Sequence, residues 1–95
     1  GWDSAGVRVA ASAARARGVT LTLFDDGGLD LAELTAVDAE TLRGELIRVL
    51  QTASGTVTAR ILPAGREAVA VITIADGDRV DRRTCESSSA GLRWG

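Results

Sequence analysis

The fold class this sequence predicts is an α/β sandwich, a mixed sheet with two helices packed on one face. Three observations predict it. Residues 38–53, DAETLRGELIRVLQTA, place Leu42, Leu46, Val49, Leu50 and Ala53 at i, i+4, i+7, i+8 and i+11, a single apolar stripe at helical period. Two strand-like runs, residues 56–62 and 68–75, follow that helix directly. A shorter helix and another strand precede it, so helices and strands alternate through short connections, as layered α/β folds require.

Residues 4–17 read as the first helix. Ser4 suits its N-cap, Val7, Ala10, Ala11 and Ala14 form a thin apolar face, and Arg15 and Arg17 sit at the end where cations suit the helix dipole. Gly18 ends it. Residues 19–24 read as a strand, with Val19, Leu21 and Leu23 alternating against Thr20, Thr22 and Phe24. The run Asp25-Asp26-Gly27-Gly28 is a solvated turn, because a calcium loop needs further oxygen ligands at fixed spacings and they are missing. Residues 29–35 fit either a short strand or one helical turn. Asp38 is the expected cap of the long helix, Glu40 favours its first turn, and Gly55 suits its end.

Residues 56–62 alternate and are expected to be half buried near an edge. The turn at residues 63–66 then sends the next strand back antiparallel. Residues 68–75, AVAVITIA, are apolar on both faces and suit the centre of a sheet. After Asp76-Gly77-Asp78 the chain turns polar. Residues 79–95 are expected to be a mobile loop and tail, and residues 1–95 a single domain.

Composition excludes several functions. A chain of 95 residues buries only roughly 60–65% of its unfolded surface. Two Trp, one Phe and no Tyr give no platform for stacking bases. A net charge of −2 with interspersed signs argues against nucleic acid as a partner. The absence of His removes the commonest general base and metal ligand, and any phosphohistidine. Cys85 is the single cysteine, so no internal disulfide forms, which fits a reducing compartment. No apolar run is long enough to span a bilayer, and no signal-peptide pattern is present, so the expectation is a cytoplasmic protein without membrane insertion.

Several local strings carry a resemblance. Residues 14–23, ARARGVTLTL, resemble the pattern A-x-x-R-G-V-x-L, and residues 37–50, VDAETLRGELIRVL, resemble D-x-x-x-L-x-x-V-L-x-N-L. In this order and spacing they are similar to the catalytic ATP-binding domain of two-component sensor histidine kinases, a fold shared with gyrase-type and MutL-type ATPases. Residues 56–62 and 69–75 resemble the hairpin strands leading into that family's first glycine box, and Gly91-Leu92 resembles the second, G-x-G-L-G-L.

The resemblance implies a nucleotide site whose key positions are altered. The family's Mg²⁺-coordinating Asn falls near Thr52. Its adenine-binding Asp falls on Ala75, with Gly77 kept and the next glycine replaced by Arg79. A shift of one residue makes Asp76 the adenine ligand but puts Asp78 on the first glycine position. Arg93 and Trp94 interrupt the second box after Gly91. Losing an adenine hydrogen bond and a metal ligand costs a few kcal/mol each. The resemblance therefore implies a degenerate, non-catalytic module without a cofactor, acting through a protein partner or self-association. Two alternatives stand beside it: a working ATP/Mg²⁺ site that uses Asp76 and Arg79, and an unrelated small α/β interaction domain.

Overall fold

The stripe on the long helix needs an apolar surface to cover, and the sheet supplies one. A computed structural model describes residues 2–27, 34–63, 65 and 67–95. The elements run α1 (Ala5–Ala16), β1 (Thr20–Asp25), α2 (Ala36–Thr52), β2 (Thr56–Ile61), β3 (Ala68–Asp76), β4 (Arg79–Ser88) and β5 (Gly91–Trp94). The strands form one sheet in the order β1-β2-β3-β4-β5. β1 and β2 are parallel, with α2 as the crossover between them, and every other neighbouring pair is antiparallel.

Strand alternation sorts the residues onto two faces. The register aligns Leu21, Val57 and Ile74, then Leu23, Ala59 and Ile72, then Ile61, Ala70 and Cys85. That face meets both helices. Val7, Ala10, Ala11 and Ala14 of α1 and Leu42, Leu46, Val49 and Leu50 of α2 join it in one buried core. Leu42, Leu46 and Leu50 are completely buried, each contributing about 2 kcal/mol of apolar burial. The opposite face carries rows such as Thr22, Thr58 and Thr73, and Phe24, Arg60 and Val71. The predicted sandwich, with both helices on one side of a mixed sheet, is therefore what the chain forms, and β3 is its central strand.

Ser4 caps α1 as expected, its Oγ accepting the Val7 amide at 3.1 Å. The cap of α2 is different. The helix starts earlier than expected, with Thr35 as N-cap and its Oγ1 accepting the Asp38 amide at 3.0 Å. Asp38 is released from capping, and its Oδ1 accepts the Leu92 amide of β5 instead, at 3.1 Å. The turn after β1 is an Asx turn, the Asp25 carboxylate accepting the Gly27 amide at 2.9 Å. Of the ambiguous stretch 29–35, residues 29–33 lie outside the described residues, as do Gly28 and, in the β2–β3 turn, residues 64 and 66.

The C-terminal expectation is overturned. Residues 79–95 are not a loop and tail: they hold the ten-residue strand β4 and the four-residue strand β5. Asp76 pairs with Arg79 across a two-residue turn, with Gly77 at φ 60° in the first central position, where a type II′ hairpin needs a positive φ. Period-two alternation is present in β4, but both of its faces carry polar side chains. Val80, Arg82, Thr84 and Glu86 lie on one face, and Asp81, Arg83 and Ser87 flank Cys85 on the other.

Candidate functional site

The last two turns of α2 and the tip of the β3–β4 hairpin enclose a cleft of about 530 Å³. Helix residues Arg48, Val49, Thr52 and Ala53 line one side, followed by Ser54. Ile74 and Asp76 of β3 and Arg79, Asp81, Arg82 and Arg83 of β4 line the rest. The helix stops at Thr52, and Ser54 just beyond it reaches Asp76 at the end of β3. Val49 and Ile74 give it an apolar floor, and its walls are charged.

Two groups fix those walls. Glu45, its side chain 10% exposed, bridges the helix and β4. Its Oε1 accepts Arg48 Nη2 at 2.6 Å and Arg83 Nε at 3.0 Å, and its Oε2 accepts Arg48 Nε at 3.1 Å. The Arg48 hydrogen bond, aided by the Arg83 charge, holds the Glu45 carboxyl below its usual range against partial burial. At the other wall, Ser54 Oγ donates to Asp76 Oδ2 at 2.6 Å. Arg79, on the helix-side face of β4, forms no ion pair among the described residues, so its guanidinium group is available to an anionic group.

The structure brings Thr52, Asp76 and Arg79 into this one cleft. Thr52 is turned toward its own helix, its Oγ1 3.5 Å from the Arg48 carbonyl oxygen. Ala75 flanks the site but pairs with Thr56 and Val80, so it lies on the face away from the helices. Gly77 is used by the hairpin turn. Gly91 is elsewhere. It opens β5 against the start of α2, where a Cβ built on it would stand 2.7 Å from Asp38 Oδ1. Asp38 and Thr52 are about four helical turns apart, so Gly91 is separated from the cleft by about 20 Å.

Among the cleft residues, Thr52, Asp76 and Arg79 were named from the sequence. Glu45, Arg48 and Ser54 were not: Glu45 pairs with Arg48 and Arg83, and Ser54 with Asp76. The i,i+3 spacing of Glu45 and Arg48 was a readable helix pair, whereas the reach of Glu45 to Arg83 depends on strand register.

The cleft presents charged and hydrogen-bonding side chains over an apolar floor. The Ser54–Asp76 pair has no third group among the described residues to draw a proton along, and the chain has no His. Cys85 is buried beneath α2, and burial pushes its thiol up to about 11, so it is protonated and inert at neutral pH. No group of metal-ligating side chains occurs among the described residues. No described helix is long and apolar enough to cross a membrane. No protein-family model, curated protein or solved structure matches the chain.

Proposed function

We propose that this chain is a degenerate ATP-binding domain of the sensor-histidine-kinase type, acting as a non-catalytic protein-interaction module in signalling. One observation carries the reading. Asp76, the candidate adenine ligand, is engaged by Ser54, and the chain leaves it through a two-residue turn straight into β4. A glycine box works by letting a nucleotide approach open backbone. Here Gly77 and Asp78 form the hairpin turn and Arg79 is paired in the sheet. The order of helices and strands, and the antiparallel pair β2–β3 under α2, support the ancestry.

A second reading, a nucleotide site that still works, is favoured by the position of Thr52, Asp76 and Arg79 around one arginine-rich cleft. Calorimetric titration with ATP and ADP, with and without Mg²⁺, separates the two. The degenerate module gives no heat at millimolar nucleotide while remaining folded. Micromolar binding that disappears in Asp76→Ala would overturn it in favour of the second reading.

A further inference from the structure

The two edges of the sheet are finished differently. At β5, the Leu92 amide is bound by Asp38, and Trp94 Nε1 donates to the Thr41 carbonyl at 2.8 Å, so α2 holds that edge. At the other edge no described strand lies beyond β1. A parallel ladder uses both backbone groups of alternate residues on one neighbour. The Thr20 amide bonds Gly55 and the Asp26 amide bonds Ile61, which places residues 20, 22, 24 and 26 on the β2 side. The backbone groups of Leu21, Leu23 and Asp25 therefore face outward. Beside them runs an apolar groove of about 400 Å³ between α1 and β1, with Val7, Ala11 and Leu23 along it and Arg8, Ser12 and Arg15 on its rim. Leu23 is 37% exposed. The edge carries no Pro or Lys to discourage pairing.

We propose that this edge pairs with β1 of a second copy of the chain, antiparallel, with Leu23 opposite Leu23 on the two-fold axis. Backbone parity favours that register. It matches all three outward-facing residues, setting Leu21 opposite Asp25 of the second copy, Leu23 opposite Leu23, and Asp25 opposite Leu21. A register one step away leaves Asp25 without an outward-facing partner on β1. Charge favours it too. Arg15 stands at Leu21, its Nη2 3.5 Å from the Leu21 carbonyl oxygen, which brings it to the Asp25 carboxylate of the second copy, a group that also accepts its own Gly27 amide, twice by symmetry. Arg8, at the far end of the groove, is already paired with Asp3. The two Leu23 side chains fill the groove together. On the other face, Thr22 comes opposite Phe24 of the second copy and covers a ring that is 39% exposed. Such a contact is isologous and closes as a dimer. Neither kinase-type ancestry nor nucleotide enters this inference, so a positive nucleotide titration would overturn the proposed function and leave the pairing standing.

Sedimentation of the full chain over micromolar to millimolar concentration tests it. The chain dimerises, and Leu23→Pro and Leu23→Lys both weaken the dimer by about tenfold or more, through the loss of edge hydrogen bonds and an inward charge respectively. Leu23→Pro removes only an outward-facing amide, so the β1–β2 ladder and the circular dichroism are retained. If that variant fails to fold, Leu23→Lys and a disulfide readout decide. Thr22→Cys chains mixed with Phe24→Cys chains crosslink faster than either alone, since only the mixture sets two cysteines directly opposite. Buried Cys85 does not compete. A monomer at millimolar concentration, a dimer indifferent to both Leu23 variants, or crosslinking no faster in the mixture would overturn the proposal.

Discussion

At one side of the sheet, β1 is aliphatic on its helix face through Leu21 and Leu23 and presents its outer edge uncovered by any described strand. At the other side, β4 is polar and β5 lays Leu92 and Trp94 on the core, and their positions depend on α2: Glu45 holds Arg83, Asp38 holds the Leu92 amide, and the Thr41 carbonyl holds the Trp94 indole. The first side is built by apolar burial and leaves backbone groups for another chain. The second is built by specific polar contacts and closes its own edge. Hydrophobic burial is non-directional and tolerates variation in neighbours. A polar contact needs its partner in place, and an amide stranded in a part-buried position costs about 1–3 kcal/mol.

Mutations that break the contrast rank by how much closure they remove. Trp94→Ala is expected to be the most damaging, about 3 kcal/mol by urea denaturation, since it removes both the packing of the ring on the core and its hydrogen bond to α2. The matching truncation at the open side, Phe24→Ala, is expected to cost about 1 kcal/mol or less. That ring is part-exposed and loses chiefly the Arg60 guanidinium 4.6 Å from its centroid. Equal costs would mean that the two sides are not held differently. Asp38→Ala is expected to cost about 1–2 kcal/mol and to raise amide exchange at Leu92 more than at β2.

Glu45→Gln is a small step on the closed side, about 1 kcal/mol at neutral pH, and it carries a pH signature. The folded-state pKa of Glu45 is depressed, so its contribution is fully present above the ordinary carboxylate range and is lost as pH falls through the folded value. Denaturation series of wild type and Glu45→Gln should therefore converge on acidification. Parallel curves would show that the Arg48–Glu45–Arg83 bridge contributes nothing to stability.

The same contrast explains what the sequence disclosed. α1, β1, α2, β2 and β3 were legible because the period of their apolar residues, 3.6 or 2, is written locally: Leu42, Leu46 and Leu50 name a helix face without reference to anything else. β4 was not, because its alternation pairs polar with polar and only Cys85 enters the core. One local signal was there to use, the Asp76-Gly77-Asp78 run, which is turn chemistry for a two-residue hairpin. The cap of α2 misled for a related reason. Both Thr35 and Asp38 are good caps in isolation, and the Leu92 amide of a distant strand decided between them. In the cleft, Thr52, Asp76 and Arg79 were singled out through the resemblance, whereas Ser54 and Glu45 came into view only with the register of β3 and β4.

The central claim is that this C-terminal pair of strands is a folded wall held by α2, and native-state hydrogen exchange tests it most directly. The account predicts protected amides through β4 and at Leu92, with Ser87 and Leu92 slowed to within the range of β2 and β3. Exchange of residues 79–94 at unstructured rates, beside a protected β2–β3 pair, would contradict it. Such a result would return the segment to a mobile tail and remove one wall of the cleft.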